Sequence, residues 1–102
     1  MPKIDLPGGY SAVIALRMSE FRELWNDGTI KKLETLTSGG DLGEVYYPIF
    51  VRMVHSWDCV SEDDGRKLDP SKIEDYDEMG AAQFMALMTA ASAYITGQET
   101  KN

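Results

Sequence analysis

His55, Asp58 and Cys59 are the residues whose types and spacing could do chemistry in this chain. An imidazole and a thiol four positions apart share one face of a helix, with Asp58 close by. Three such ligands could hold a zinc ion. A thiol beside an imidazole base could also act as a nucleophile. Both readings lack parts. His55 is the single histidine and Cys59 the single cysteine. On a helix Asp58 would point about a third of a turn away from its neighbour. No third group orients the imidazole, and no oxyanion site is apparent. A structural histidine and a small buried thiol is the preferred reading. No catalytic, metal-binding or cofactor-binding residue is assigned, and no cofactor is expected.

The acidic run after Trp57 invites a calcium reading. With Gly65 at the sixth position of a calcium loop, Val60 would be first and Ser71 twelfth. Such a loop needs acids at both places, so the match fails and a solvated turn is preferred. Pro7-Gly8-Gly9 lacks the Lys-Ser/Thr that follows a phosphate-binding loop and reads as a hairpin turn. Lys31-Lys32 reads as a solvated face. Trp25 and Trp57 could stack on a ligand, but each sits on an apolar helical stripe. Both are assigned to the structural core, together with Ile49, Phe50 and Met53.

The elements that position these residues start with a β-hairpin over residues 3–17. Ile4 and Leu6 alternate with polar neighbours, the Pro-Gly-Gly turn follows, and Tyr10 to Arg17 is apolar and β-branched enough for a strand. A lone hairpin is marginal in water, so it must pack on helices or on a second copy's strand. Ser19, as N-cap, opens a short helix bearing Phe21, Leu24 and Trp25, which Asn26-Asp27-Gly28 stops. Thr29 caps a second, bearing Ile30, Leu33 and Leu36, and Ser38-Gly39-Gly40 ends it.

The central element runs from Asp41 to Trp57. Leu42, Val45, Tyr46, Ile49, Phe50, Met53, Val54 and Trp57 recur at three- and four-residue steps, which predicts one apolar helical face. Asp41 and Glu44 have capping-box spacing. Pro48 either kinks the helix or marks its first turn. Asp69-Pro70 signals a further short helix through Tyr76. The last helix spans about Asp77 to Thr96, with Gly97 as its C-cap. It carries no charge from Met79 to Gln98. Phe84, Leu87, Met88, Ala91 and Ile95 form one stripe, and alanines at 82, 86 and 90 would allow close helix approach. Three of the six methionines, Met79, Met85 and Met88, fall in this region; methionine suits adaptable surfaces. A membrane span is rejected, because Gln83, Thr89, Ser92, Thr96 and the alanines make the segment too weakly apolar.

The chain of 102 residues is long enough for one domain with a modest core. The fold expected is α+β and mainly α: an N-terminal hairpin (1–17), then a small bundle of about three to five helices (18–102) with an acidic turn at 58–69. The net charge of −7 argues against binding nucleic acid through its phosphates. From Asp58 to Glu78 there are nine acids against three bases, so that charge is local. The opening residues MPKIDL form no apolar signal core, and a cytoplasmic protein is expected.

In residue order the chain resembles the tail assembly chaperones of long-tailed phages, the small proteins encoded ahead of the tape-measure gene. An apolar helix leads into Ser56-Trp57-Asp58 and then Glu62-Asp63-Asp64-Gly65-Arg66-Lys67-Leu68. Upstream stand Ile4-Asp5-Leu6-Pro7-Gly8-Gly9 and Ser11-Ala12-Val13; downstream, residues 70–79 lead into an apolar helix. The Tyr47-Pro48 pair and the Met- and Ala-rich last helix depart from the pattern. The resemblance implies a non-enzymatic role: coating the helical tape-measure protein, keeping it soluble and recruiting tail-tube subunits. Self-association is also expected. Partner contacts are assigned to Phe84, Met85, Leu87, Met88 and Tyr94. Two alternatives stand: a structural component of a phage tail or head–tail joint, and an acidic inhibitor that mimics DNA.

Overall fold

The computed structural model describes residues 3–35 and 42–101, with side chains as far as Ile95. Strands β1 (Lys3–Leu6) and β2 (Tyr10–Ile14) form the expected hairpin, with Leu6 paired to Tyr10 across the turn. Gly8 and Gly9 turn it at φ of 88° and 85°, in the left-handed region that glycine enters without strain. Strand β2 ends at Ile14, three residues short of the expected Arg17. Leu6, Ala12, Ile14 and Leu16 face inward and are buried.

The largest correction concerns the central element. Helix α3 covers Leu42–Met53, and the chain then becomes a third strand, β3 (Val54–Trp57), with no intervening loop. β3 pairs antiparallel with β2, giving the sheet order β1-β2-β3. A bulge between Val13 and Ile14 absorbs one extra residue on β3. The helical period through Val54 and Trp57 is overridden because β2 would otherwise present a row of unpaired backbone groups. Strand pairing satisfies them, and the Ala15 N–H donates to the Met53 carbonyl at 2.9 Å to continue the ladder. Pro48 lies inside α3; it removes one helical hydrogen bond. Asp41 and the Ser38-Gly39-Gly40 stop lie outside the described residues.

Helix α1 (Met18–Asn26) starts one residue before Ser19, and its cap is Arg17, whose N–H donates to Glu20 at 3.0 Å. Helix α2 (Thr29–Glu34) starts after Gly28, at φ 89°. Thr29 is its first residue and is held by Asp27, which accepts from both its N–H and its hydroxyl. Trp25 is 53% exposed, so it does not belong to the core. It sits at the flank of the α1 stripe, where Phe21 and Leu24 take the inward positions, and its ring lies 6.3 Å from Phe21's.

A 3-10 helix covers Ile73–Glu78, three residues beyond Pro70, and helix α4 covers Ala81–Lys101. Thus α4 starts four residues later than expected and runs through Gly97 instead of stopping there. Counting the 3-10 turn, the described residues hold five helices beside a three-stranded sheet, which is the expected α+β, mainly α class.

The core lies where α3 crosses between the sheet, α2 and α4. Leu24, Ile30, Ile49, Phe50, Met53, Leu87 and Ala91 are fully shielded. The assignments of Ile49, Phe50 and Met53 hold. Trp57 is half-buried and packs on the cluster from its edge. Tyr46, Tyr47, Phe50, Trp57, Tyr76 and Phe84 form a continuous aromatic wall, with Tyr76 5.0 Å from Trp57 and 5.6 Å from both Phe50 and Tyr47. Each such pair adds about 0.5–1.5 kcal/mol beyond area burial.

Candidate partner-binding surface

Helix α4 sorts its side chains by period. Gln83, Leu87, Ala91 and Ile95 follow one another at four-residue steps and are buried. Met85, Thr89 and Ala93 follow the same steps on the opposite side and are exposed. Ala81 and Ala82 are exposed as well, so the outward face of α4 from Ala81 to Ile95 carries no charge. A solvated helix face is normally polar, and an uncharged one marks a contact surface.

The two flanks of α4 differ. On one, Phe84 meets the rings of Tyr46, Tyr47 and Phe50 edge-on at 5.6–6.1 Å. On the other, Tyr94 reaches the hairpin, and its hydroxyl donates to the Ile14 carbonyl at 3.4 Å. Between α4 and the hairpin lies an open groove of about 350 Å³, lined by Ile4, Ile14, Ala90, Ala93 and Tyr94. Its lining is apolar apart from the tyrosine hydroxyl.

The five assigned contact residues therefore separate. Met85 is 51% exposed and available. Tyr94 lines the groove, and Met88 is half-buried against the core. Leu87 is fully shielded, and Phe84 is a member of the aromatic wall. Leu87 is a correction: it shares the stripe but faces inward, because a stripe apolar all round does not say which side the fold will cover; Phe84 is half-buried, like Met88. Ile4, Ala90 and Ala93 were missed as surface residues. The alanine series 82, 86 and 90 signalled Ala90 alone.

The acidic segment is not a loose solvated turn. Cys59–Leu68 closes a small hairpin of its own: Ser61 N–H donates to Arg66 O at 2.8 Å, Leu68 N–H donates to Cys59 O at 3.2 Å, and Gly65 turns it at φ 73°. The carboxylates hold backbone N–H groups, one on β2 and the others within the segment. Asp58 accepts from Ser11 N–H at 2.8 Å, Asp64 from Arg66 N–H at 2.9 Å, and Asp69 from Ser71 N–H at 2.9 Å. Asp75 is buried and accepts from Asp69 N–H at 2.7 Å. Arg66 pairs with Asp75 and Glu78, and these partners push its pKa further up. Ser71's hydroxyl and then its N–H hold Asp69 below its ordinary value, and Thr29's hydroxyl does the same for Asp27. A DNA mimic needs carboxylates displayed along one face. Here Asp64, Asp69, Asp75 and Glu78 bond within the segment itself, and Asp58 ties it to β2.

His55 and Cys59 do not share a helix face, since residues 54–57 are strand. His55 is exposed, with its Nε2 3.3 Å from the Ala15 carbonyl, while Cys59 is 2% exposed. Burial, with a smaller push from Asp58, raises the Cys59 thiol to about 11, so it is protonated at neutral pH and a poor nucleophile. Among the described residues no three His, Cys, Asp or Glu side chains converge on a metal position. Nor is any described helix long and apolar enough to cross a membrane.

Comparison with protein-family models finds no match, and searches of curated proteins and of solved structures find none either.

Proposed function

We propose that this protein is a non-enzymatic assembly chaperone that covers an apolar helical stripe on a partner chain. The observation that carries the reading is the groove between the hairpin and α4, continuous with the charge-free outer face of that helix. Ala90 and Ala93 leave space for a second helix to approach closely, and Ile4, Ile14 and Tyr94 supply apolar walls. Helix-in-groove recognition needs such a surface, read by anchors at three- and four-residue steps. Met85 at its margin adapts to different side chains with little strain. The partner proposed from the sequence resemblance is the tape-measure protein of a long-tailed phage. Its extended helix would aggregate through its apolar stripes unless they were covered. The net charge of −7 would keep a many-copy complex soluble and self-repelling. Recruitment of tail-tube subunits and self-association along the same face complete the proposal. The site of action would be the host cytoplasm.

Co-expression with a candidate tape-measure protein tests this, read by light-scattering mass on the soluble fraction. The expected result is a tape measure soluble only with this protein, eluting with many copies bound. A lone monomer beside a precipitated tape measure would overturn the proposal.

A further inference from the structure

A second site lies at the opposite end of α4 from the groove and does not depend on the reading above. Tyr10, Cys59, Val60, Ser61, Glu62, Met79, Gly80 and Gln83 enclose a cavity of about 80 Å³ where the acidic hairpin meets the start of the helix. Gln83 is the informative residue. It is 8% exposed, and its Nε2 donates to the Pro7 carbonyl at 2.7 Å. That carbonyl can only accept, so the orientation of the amide is determined. The amide oxygen must point the other way, and it has no hydrogen-bond partner among the described residues. Leaving a buried acceptor unmet costs about 1–3 kcal/mol.

The Glu62 carboxylate aims at the same point. A Cβ added to Gly80 would overlap both Glu62 Oε1 and Gln83 Oε1. Two acceptors therefore converge where Gly80 has no side chain. No Lys, Arg or His lines the cavity. The N-terminus of α4 accounts for an anion nearby. It supplies no donor to Gln83 Oε1. The remaining walls are Tyr10, Val60, the sulfur-bearing Cys59 and Met79, and Ser61, whose hydroxyl donates to Glu78 at 3.2 Å.

We infer that this cavity binds a primary ammonium group. Such a group has three N–H donors and one positive charge. Two donors would meet Glu62 Oε1 and Gln83 Oε1, and the Glu62 carboxylate would balance the charge. The space suits the tip of a chain or a one-carbon amine. It does not suit a sodium or potassium ion, for which two side-chain oxygens are too few. The ammonium has two sources: a small free amine, or a lysine on a partner chain.

The test follows the Gln83 side-chain amide by NMR on the full chain. The titrants are methylammonium chloride and Nα-acetyl-lysinamide, with sodium chloride at matched ionic strength as control. Saturable shifts with either amine, absent with sodium chloride, are expected. Tighter binding of the lysine analogue identifies a partner's lysine, and tighter binding of methylammonium identifies a free amine. Glu62→Gln keeps the fold, because this side chain is exposed, and should weaken binding at least tenfold. Gly80→Ala should abolish it by filling the point of convergence. Shifts no larger than with sodium chloride, or unchanged binding in Glu62→Gln, would mean that the cavity holds only water and would overturn the inference.

Discussion

The acidic segment and helix α4 are the two most biased regions of the chain, one in charge and one in hydrophobicity, and the fold uses the biases in opposite ways. The segment from Asp58 to Glu78 looks like surface but behaves as structure. Its carboxylates cap turns, its buried Asp75 holds Asp69 N–H, and Arg66 ties it together. Helix α4 looks like core but keeps a surface. Leu87 and Ala91 are fully buried, whereas Met85, Thr89 and Ala93 face outward without charge. Charge density alone does not mark an interface, and apolar density alone does not mark an interior. What separates them is whether each group already has a partner.

The largest effect should come from the inward side of α4. Leu87→Ala is expected to cost about 2–5 kcal/mol by urea unfolding, the range for a deleted buried leucine. A loss under 1 kcal/mol would mean that the helix is not docked as described. Next, the Cys59 thiol in the native protein should react with a disulfide reagent at mildly alkaline pH about a hundredfold more slowly than in urea. A pKa raised from 9.0 to about 11 lowers the thiolate by that factor. Fast native labelling would restore the picture of a loose acidic turn.

Asp75→Ala should then cost about 1–3 kcal/mol, because it leaves the Asp69 N–H without its acceptor. Asp63→Ala, on the exposed part of the same segment, should stay within about 0.5 kcal/mol. Equal effects of the two would erase the distinction between structural and solvated carboxylates. Ala93→Glu places a charge on the groove wall at an exposed position. Its stability should change by no more than about 0.5 kcal/mol, while partner binding should fall at least tenfold in a pull-down titration. Intact binding would remove the groove from the proposal.

The smallest effect concerns pH. Asp27 and Asp69 are both held below the ordinary 3.8 by accepted hydrogen bonds that favour the charged carboxylate. Between the folded and unfolded pKa values the unfolded chain binds more protons, so each contributes stability present above about pH 4 and lost as pH falls below it. Asp69→Asn should flatten that acid limb slightly. A limb that steepened would contradict the assigned bonds.

Much of the architecture was readable in the residues. The Pro-Gly-Gly turn between alternating segments specified the β1–β2 hairpin, because two consecutive left-handed positions suit glycine. The four-residue spacing of Ile49 and Met53, with Phe50, specified the buried side of α3. Trp25 misled because its spacing from Phe21 is helical, yet the fold leaves it 53% exposed. Gln83 gave no signal as a site residue, since a glutamine near a helix start reads as solvated until its neighbours are known.

By itself the sequence determined the element types wherever local signals agreed: a hairpin, a central helix, an acidic turn and a long helix without charge as far as Gln98. Only the tertiary structure decided where α3 stops. Helical period favours continuing to Trp57, but β2's open edge is a non-local demand that no window of sequence contains. It also decided which side of α4 faces water. A helix that is apolar almost all round specifies burial without specifying direction, and the direction follows from which face α3 and the hairpin cover.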